Sequence, residues 1–188
     1  MAEVHHMEAH ALVARCMLAG DDDGDGDGCG PRPTFPFLCL LVSGGHNVLL
    51  VAHELGRYTQ LGTTLDDALG EAFDKVARML HLPVGGGGGP AVEALALEGD
   101  PTAFKFTKPM SVKAKKSHQN CDFSYAGLKT SVRLAVETAF GADGPDDSAE
   151  ARRVKADIAA SFQAVAVEHL RDRAERALEW ARELEPEL

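Results

Sequence analysis

The stretch "FPFLCLLVSGGHNVLLVAHELGRYTQLG", from Phe35 to Gly62, constrains the fold more than any other part of the chain. Two continuous apolar runs of strand length are split by Ser43-Gly44-Gly45-His46-Asn47, which predicts two strands around a tight turn. The turn itself has two readings. It is a hairpin that uses glycine for positive φ, or a phosphate loop whose glycines let the backbone approach an anion with successive N–H groups pointing inward. The lysine of a Walker motif is missing.

The flanking segments carry helical rather than alternating periodicity. Residues 3 to 19 place Val4, Met7, Ala11, Leu12 and Cys16 at helical spacing, and that helix ends at Gly20. "DDDGDGDGCGPRP" follows, with five aspartates and no bulky apolar group, and reads as a mobile insertion. A calcium loop is the alternative, although no glutamate stands at the twelfth position and no second helix follows directly. "TLDDALGEAFDKVARMLHL" predicts a helix with Thr64 as N-cap and Leu65, Ala68, Leu69, Phe73, Val76, Ala77 and Leu80 as its buried stripe, stopped by Gly85 to Gly89. "PAVEALALEGD" predicts a short helix opened by Pro90 and ended by Gly99. "CDFSYAGLKTSVRLAVETAF" turns helical around Gly127. Residues 151 to about 185 form one or two long helices with Val154, Ile158, Phe162, Val165 and Leu170 inward.

Composition narrows the class. A chain of 188 residues, 45% hydrophobic, is one soluble globular domain or two small lobes, and it has neither an eighteen-residue apolar run nor a charged-then-apolar leader. Cys16, Cys29, Cys39 and Cys121 form no CxxC pair, so reduced thiols are expected. The net charge of −10 argues against a general nucleic-acid coat protein. One stretch runs the other way: Ala103 to His118 carries Lys105, Lys108, Lys113, Lys115 and Lys116 and no acid.

Several residues can carry chemistry. On a helix, His6 and His10 stack on one face, where both imidazoles reach one metal ion or simply sit half-exposed. Two ligands do not close a site, so a carboxylate from elsewhere or from a substrate would have to join them. Asp74 and Glu93 are placed to accept hydrogen bonds from a ribose diol, or are solvated carboxylates. The Gly85 to Gly89 run, ahead of a helix N-terminus, is a second place for an anion or ribose hydroxyls.

Taken in order, "HHMEAH", "LVSGGHN", "GEAFDKVARML", "GGGP" with Glu93, "FTKPM", "DFSYAGLKTSV" and "DIAASFQAV" resemble the TsaD/OSGEP family, formerly called O-sialoglycoprotein endopeptidase or glycoprotease, from Val4 to about Leu170. The resemblance implies an α/β fold of the two-lobed, actin-like, acetate-kinase type. Residues 1–20 would be a remnant of the first lobe, 21–34 an insertion and 35–188 a partial second lobe. It also implies transfer of the threonylcarbamoyl group from threonylcarbamoyl-adenylate to adenosine 37 of tRNAs that read ANN codons. His6 and His10 match the family's metal ligands for one iron or zinc ion, and are expected to face the glycine turn. Leu41, Val42, Ser43, Gly44 and Gly45 match its substrate loop, Asp74 and Gly89 its adenylate contacts, and Glu93 a ribose-side carboxylate. Lys105, Lys108, Lys113, Lys115 and Lys116 become candidates for tRNA backbone contact, or remain a solvated face.

The resemblance further implies a "GIETSCDDT"-type leader and closing "GGVAAN" and "DNGxM" segments, the last supplying a metal-binding aspartate; the chain carries none of them and reads as a central fragment. Partners implied are tRNA, the adenylate and a second copy or other proteins of the threonylcarbamoyladenosine pathway, with no membrane. "HHMEAH" and "NCDFS" lean to the mitochondrial branch, with a cytoplasmic location as the alternative. The rival readings are an inactive homologue that binds an intact one, a metallopeptidase and a small-molecule kinase. A zincin needs HExxH, and Met7 stands where its glutamate would be.

Overall fold

A computed structural model of the chain describes residues 6–17, 33–83, 85–111, 120–141, 144–146 and 148–186. The Asp/Gly-rich stretch at 21–32, with the calcium reading attached to it, lies outside these residues, as do Lys113, Lys115 and Lys116.

The architecture is α/β, built on a three-stranded antiparallel sheet of β1 (Phe37–Val42), β2 (Asn47–Glu54) and β3 (Arg57–Thr63) in that order. β1 and β2 pair from Phe37 with Ala52 to Val42 with Asn47, closing on the Ser43–His46 turn. Side chains alternate across the strands and give the sheet two covered faces. Val48, Leu50 and Ala52 of β2 pack with Phe37, Cys39 and Leu41 of β1 beneath Met7 of helix α1 (His6–Met17). Leu49, with Leu38 and Leu61, faces the main core built by α2 (Leu69–Met79), α3 (Gly88–Ala96), α4 (Ala126–Phe140) and α5 (Ala149–Leu184). Large side chains lost to water on that face, such as Leu49, Phe123, Phe162 and Ile158, contribute roughly 1.5–3 kcal/mol each.

The carboxyl-terminal segment is one continuous helix of 36 residues, opened by Ser148, whose hydroxyl accepts the Ala151 N–H at 3.1 Å. Ile158 and Phe162 are fully buried and Val154, Val165 and Leu170 half-buried, so the apolar stripe reaches the core as the periodicity predicts. His169 and Arg173 are also buried on this helix. The His169 Nε2 accepts the Ser124 N–H at 3.3 Å between the rings of Phe123 and Tyr125, and Arg173 donates to the Asn120 carbonyl at 2.7 Å.

Three local expectations are corrected. A third strand, β3, follows β2 through a turn at Leu55-Gly56; its alternating polar residues hide it from a search for apolar runs. Thr64 does not cap α2. The helix begins only at Leu69, while the Thr64 hydroxyl accepts the Asn47 N–H at 2.7 Å and the Thr64–Phe123 bridge draws the chain toward α4. Leu65 is consequently 57% exposed in the bend that precedes the helix. Nor do the glycines stop α2: it ends at Met79, and Gly88 and Gly89 open α3 instead.

Asp66 illustrates how the segments interlock. Its carboxylate accepts from the Ser124 hydroxyl at 2.6 Å and from the Tyr125 and Ala126 N–H groups at 2.8 and 3.2 Å, occupying the amino end of α4 across some sixty residues of sequence. Its neighbour Asp67 is buried between Lys75, at 2.7 Å, and Lys129, at 2.6 Å. Burial pushes the Asp67 carboxyl up, but hydrogen bonds from the two ammonium groups outweigh that and hold it below its ordinary value.

Candidate active site

The Ser43–His46 turn is built around one hydroxyl. Ser43 Oγ accepts the N–H groups of Gly45, at 3.2 Å, and His46, at 3.0 Å, and donates to the His46 carbonyl at 3.0 Å. Two of the backbone donors read from the sequence as an anion cradle are therefore engaged within the turn. The turn is in turn fixed to α2. Asn47, fully buried, accepts the Leu69 N–H through Oδ1 at 3.2 Å, and the Gly70 N–H donates to the Ser43 carbonyl at 3.3 Å. Gly70 has to lack a side chain, because a Cβ there would lie 2.9 Å from the Gly44 Cα.

This arrangement predicts a measurable cost. Asn47→Ala leaves the first α2 N–H without its side-chain acceptor in a buried place, and is expected to destabilise the chain by about 2 kcal/mol. Urea unfolding measures it; a loss under about 0.5 kcal/mol would mean that the amide does not tie the turn to the helix.

The second wall comes from α3. Asp74 Oδ1 accepts the Gly88 N–H at 2.7 Å, so this half-buried carboxylate holds the start of α3 against α2 rather than standing solvated on the helix surface. One turn further on, Glu93 is exposed. Between the walls lies a cleft of about 450 Å³ lined by Val42 and Ser43 of β1 and its turn, Leu69, Gly70 and Phe73 of α2, Gly89, Pro90 and Glu93 of α3, and Gln163 and Val167 of α5. The cleft thus unites Val42, Ser43, Gly89 and Glu93, with Asp74 behind it. Leu41 packs on the other face of the sheet, and Gly44 and Gly45 are exposed outside the lining.

Gln163 and Val167 were not singled out from the sequence. Gln163 lies within "DIAASFQAV" and Val167 two residues beyond it, but assigning one face of a long helix to the core says nothing about what its flank meets.

His6 and His10 meet as their spacing predicts. Their Nε2 atoms are 3.1 Å apart, with ring centroids at 4.5 Å, on an exposed flank of α1. Glu8 points the other way, accepting from the Tyr58 hydroxyl at 2.7 Å and the Gly56 N–H at 3.2 Å. Among the described residues no group of three or more His, Cys, Asp or Glu side chains gathers at the pair. α1 covers the sheet face opposite to α2, α3 and α5, so β1 and β2 separate the histidines from the cleft. The expectation that the pair faces the glycine turn is thereby corrected: Met7 packs on the far face of the sheet and carries the pair with it. Of the lysines, Lys105 is exposed, while Lys108 lies 3.2 Å from Glu168 and 3.4 Å from Asp172 of α5, acids that a local charge count does not reveal.

Residues 1–185 match the family described as "TsaD: tRNA N6-adenosine threonylcarbamoyltransferase". The chain is 57% identical over 188 residues to the "Probable tRNA N6-adenosine threonylcarbamoyltransferase, mitochondrial" of Arabidopsis thaliana, a likeness that covers 98% of this chain and 36% of that protein. It is 46% identical over 183 residues to the tRNA N6-adenosine threonylcarbamoyltransferase of Granulibacter bethesdensis, covering 97% of this chain and 45% of the relative. With the enzyme of the same name from Anaplasma marginale it shares 47% identity over 160 residues, 85% of this chain and 39% of the other. The chain therefore spans less than half the length of these curated relatives.

Proposed function

The chain belongs to the tRNA N6-adenosine threonylcarbamoyltransferase family, and from that membership we propose that it contributes the nucleotide cleft and the metal-ligand pair of an enzyme that transfers threonylcarbamoyl from its adenylate to adenosine 37 of tRNA. One observation carries the reading: three motifs far apart in sequence supply Ser43, Glu93 and Gln163 to a single cleft of about 450 Å³. The actin-like, two-lobed frame is part of the same proposal, with the three-stranded sheet belonging to the second lobe.

An acyl-adenylate is already activated, so the protein must mainly hold the nucleotide, exclude water and align the amine. The apolar wall of Val42, Leu69, Phe73 and Val167 suits the nucleoside and Glu93 at the rim suits the ribose hydroxyls, while the Asp74 carboxylate already occupies the amino end of α3, so the phosphate would lie away from that end. Lys105, with Lys113, Lys115 and Lys116, would contact the tRNA backbone, an attraction that weakens as salt rises. Lys108 would first have to leave Glu168 and Asp172.

His6 and His10 would hold a divalent ion, iron or zinc. The 3.1 Å between their Nε2 atoms fits two bonds of about 2.0–2.1 Å to one metal. Bound there, the ion would supply a Lewis acid on the α1 face of the sheet, opposite the cleft, and would reach the carbamoyl group only if that group extended past the sheet edge. A mitochondrial location is proposed from the likeness to the mitochondrial Arabidopsis protein.

Two measurements test this. AMP titrated into the labelled chain is expected to shift the amide signals of Ser43, Gly89 and Glu93; shifts confined to the groove between α1 and the sheet would overturn the cleft assignment. Zinc titration is expected to give one site per chain, weakened at least about tenfold by His6→Ala or His10→Ala. Unchanged zinc affinity in both variants would remove the pair's role.

A further inference from the structure

We infer that Gln163 selects the nucleobase, reading the N6/N7 edge of adenine in the cleft; this rests on the nucleotide reading proposed above. The placement of Gln163 follows from packing. Its neighbour Phe162 is fully buried and meets Phe73 of α2 edge to face, with centroids 4.9 Å apart, which fixes the rotation of α5 against the cleft floor. Gln163 and Val167, four apart on α5, therefore present one turn of that helix to the cleft, one with an amide and one with an apolar surface.

The amide is chemically distinct from the other polar side chains around it. Among the described residues it makes no hydrogen bond to the protein, although it is half-buried. The Ser43 hydroxyl is committed to its own turn, and the ionised Glu93 only accepts. Gln163 alone in the lining therefore offers a side-chain acceptor and unengaged donors side by side.

Adenine matches that pair, since its exocyclic N6–H donates to the amide oxygen while N7 accepts from the amide NH2. Hypoxanthine and guanine present O6 and N7, both acceptors, so the amide oxygen would face O6 and one hydrogen bond is lost. Val167 and Phe73 supply the apolar surroundings in which such a difference counts.

The experiment is a calorimetric titration of the full chain with AMP, IMP and 7-deaza-AMP. The wild type is expected to bind AMP about tenfold more tightly than either analogue. Gln163→Leu, nearly isosteric and without hydrogen-bonding atoms, should bring all three affinities within about twofold while keeping the wild-type unfolding midpoint. Should this variant fail to fold, Gln163→Glu takes its place: it keeps the shape but lacks the NH2 donor, so AMP and 7-deaza-AMP are expected to bind it within about twofold of each other. AMP binding without discrimination, or discrimination retained in Gln163→Leu, overturns the inference and leaves the cleft assignment standing. Absence of AMP binding to the wild type overturns both.

Discussion

Gly88→Ala is expected to destabilise the chain by about 3 kcal/mol, whereas Gly89→Ala, one residue on, should be neutral or stabilising by up to about 1 kcal/mol. The difference lies in what each new methyl group would meet. A Cβ at Gly88 would lie 2.5 Å from the Asp74 Cα, 2.7 Å from its Oδ1 and 3.0 Å from the Ala77 Cβ. Two of those atoms belong to the body of α2 and cannot swing aside, so α2 and α3 must move apart. That movement also stretches the bond from the Gly88 N–H to Asp74, now 2.7 Å, and opens the cleft along the wall between Phe73 and Pro90. A Cβ at Gly89 meets nothing within 4 Å, and alanine costs less helix entropy than glycine. Denaturant unfolding of the two variants measures the contrast. Equal midpoints would show that the approach of α3 to α2 is not tight.

Acidification from about pH 6.5 to 4 is expected to remove on the order of 3 kcal/mol of stability through His169 alone. Burial pushes the His169 imidazolium down to a pKa of about 4, the Arg173 guanidinium beside it and Lys108 push the same way, and Asp172 and Asp66 oppose them. The sign follows from which state takes the proton. Above about pH 6.5 the imidazole is neutral in both folded and unfolded chains, and its contribution is fully present. Between 6.5 and 4 the unfolded chain binds a proton that the folded one refuses, so stability falls with pH. Asp67 and Asp172, both held below the ordinary carboxylate range, add their losses at lower pH. His169→Gln removes the titrating group and should flatten the slope between pH 6.5 and 4 in urea unfolding. An identical slope in the variant would sink this assignment.

The parts of the fold that were legible are those written in local periodicity. The β1–β2 hairpin, α1 and the inward stripe of α5 follow from apolar spacing over a few turns or a few strand residues, and the meeting of His6 with His10 needs only a helix. β3 was not legible, since "RYTQLGT" is half polar and becomes a strand because β2 offers it a hydrogen-bonding edge. The start of α2 failed for a related reason. Thr64 has the chemistry of a cap, but Asn47 claims its hydroxyl and supplies the Leu69 acceptor itself.

At the candidate site the division is sharper. The sequence by itself determined which residues have suitable chemistry: a glycine turn with Ser43, carboxylates at Asp74 and Glu93, imidazoles at His6 and His10, and the motif order that gives the family. Tertiary structure alone decided that Asp74 clamps Gly88, that the Ser43 hydroxyl fills its own turn, that Lys108 leans on acids of α5, that Gln163 enters the cleft and that the histidines lie across the sheet from it. The physical reason is range. Periodicity and spacing act within one segment, whereas a partner tens of residues away is set by how buried faces pack, and packing fixes which polar groups are left free to meet a ligand.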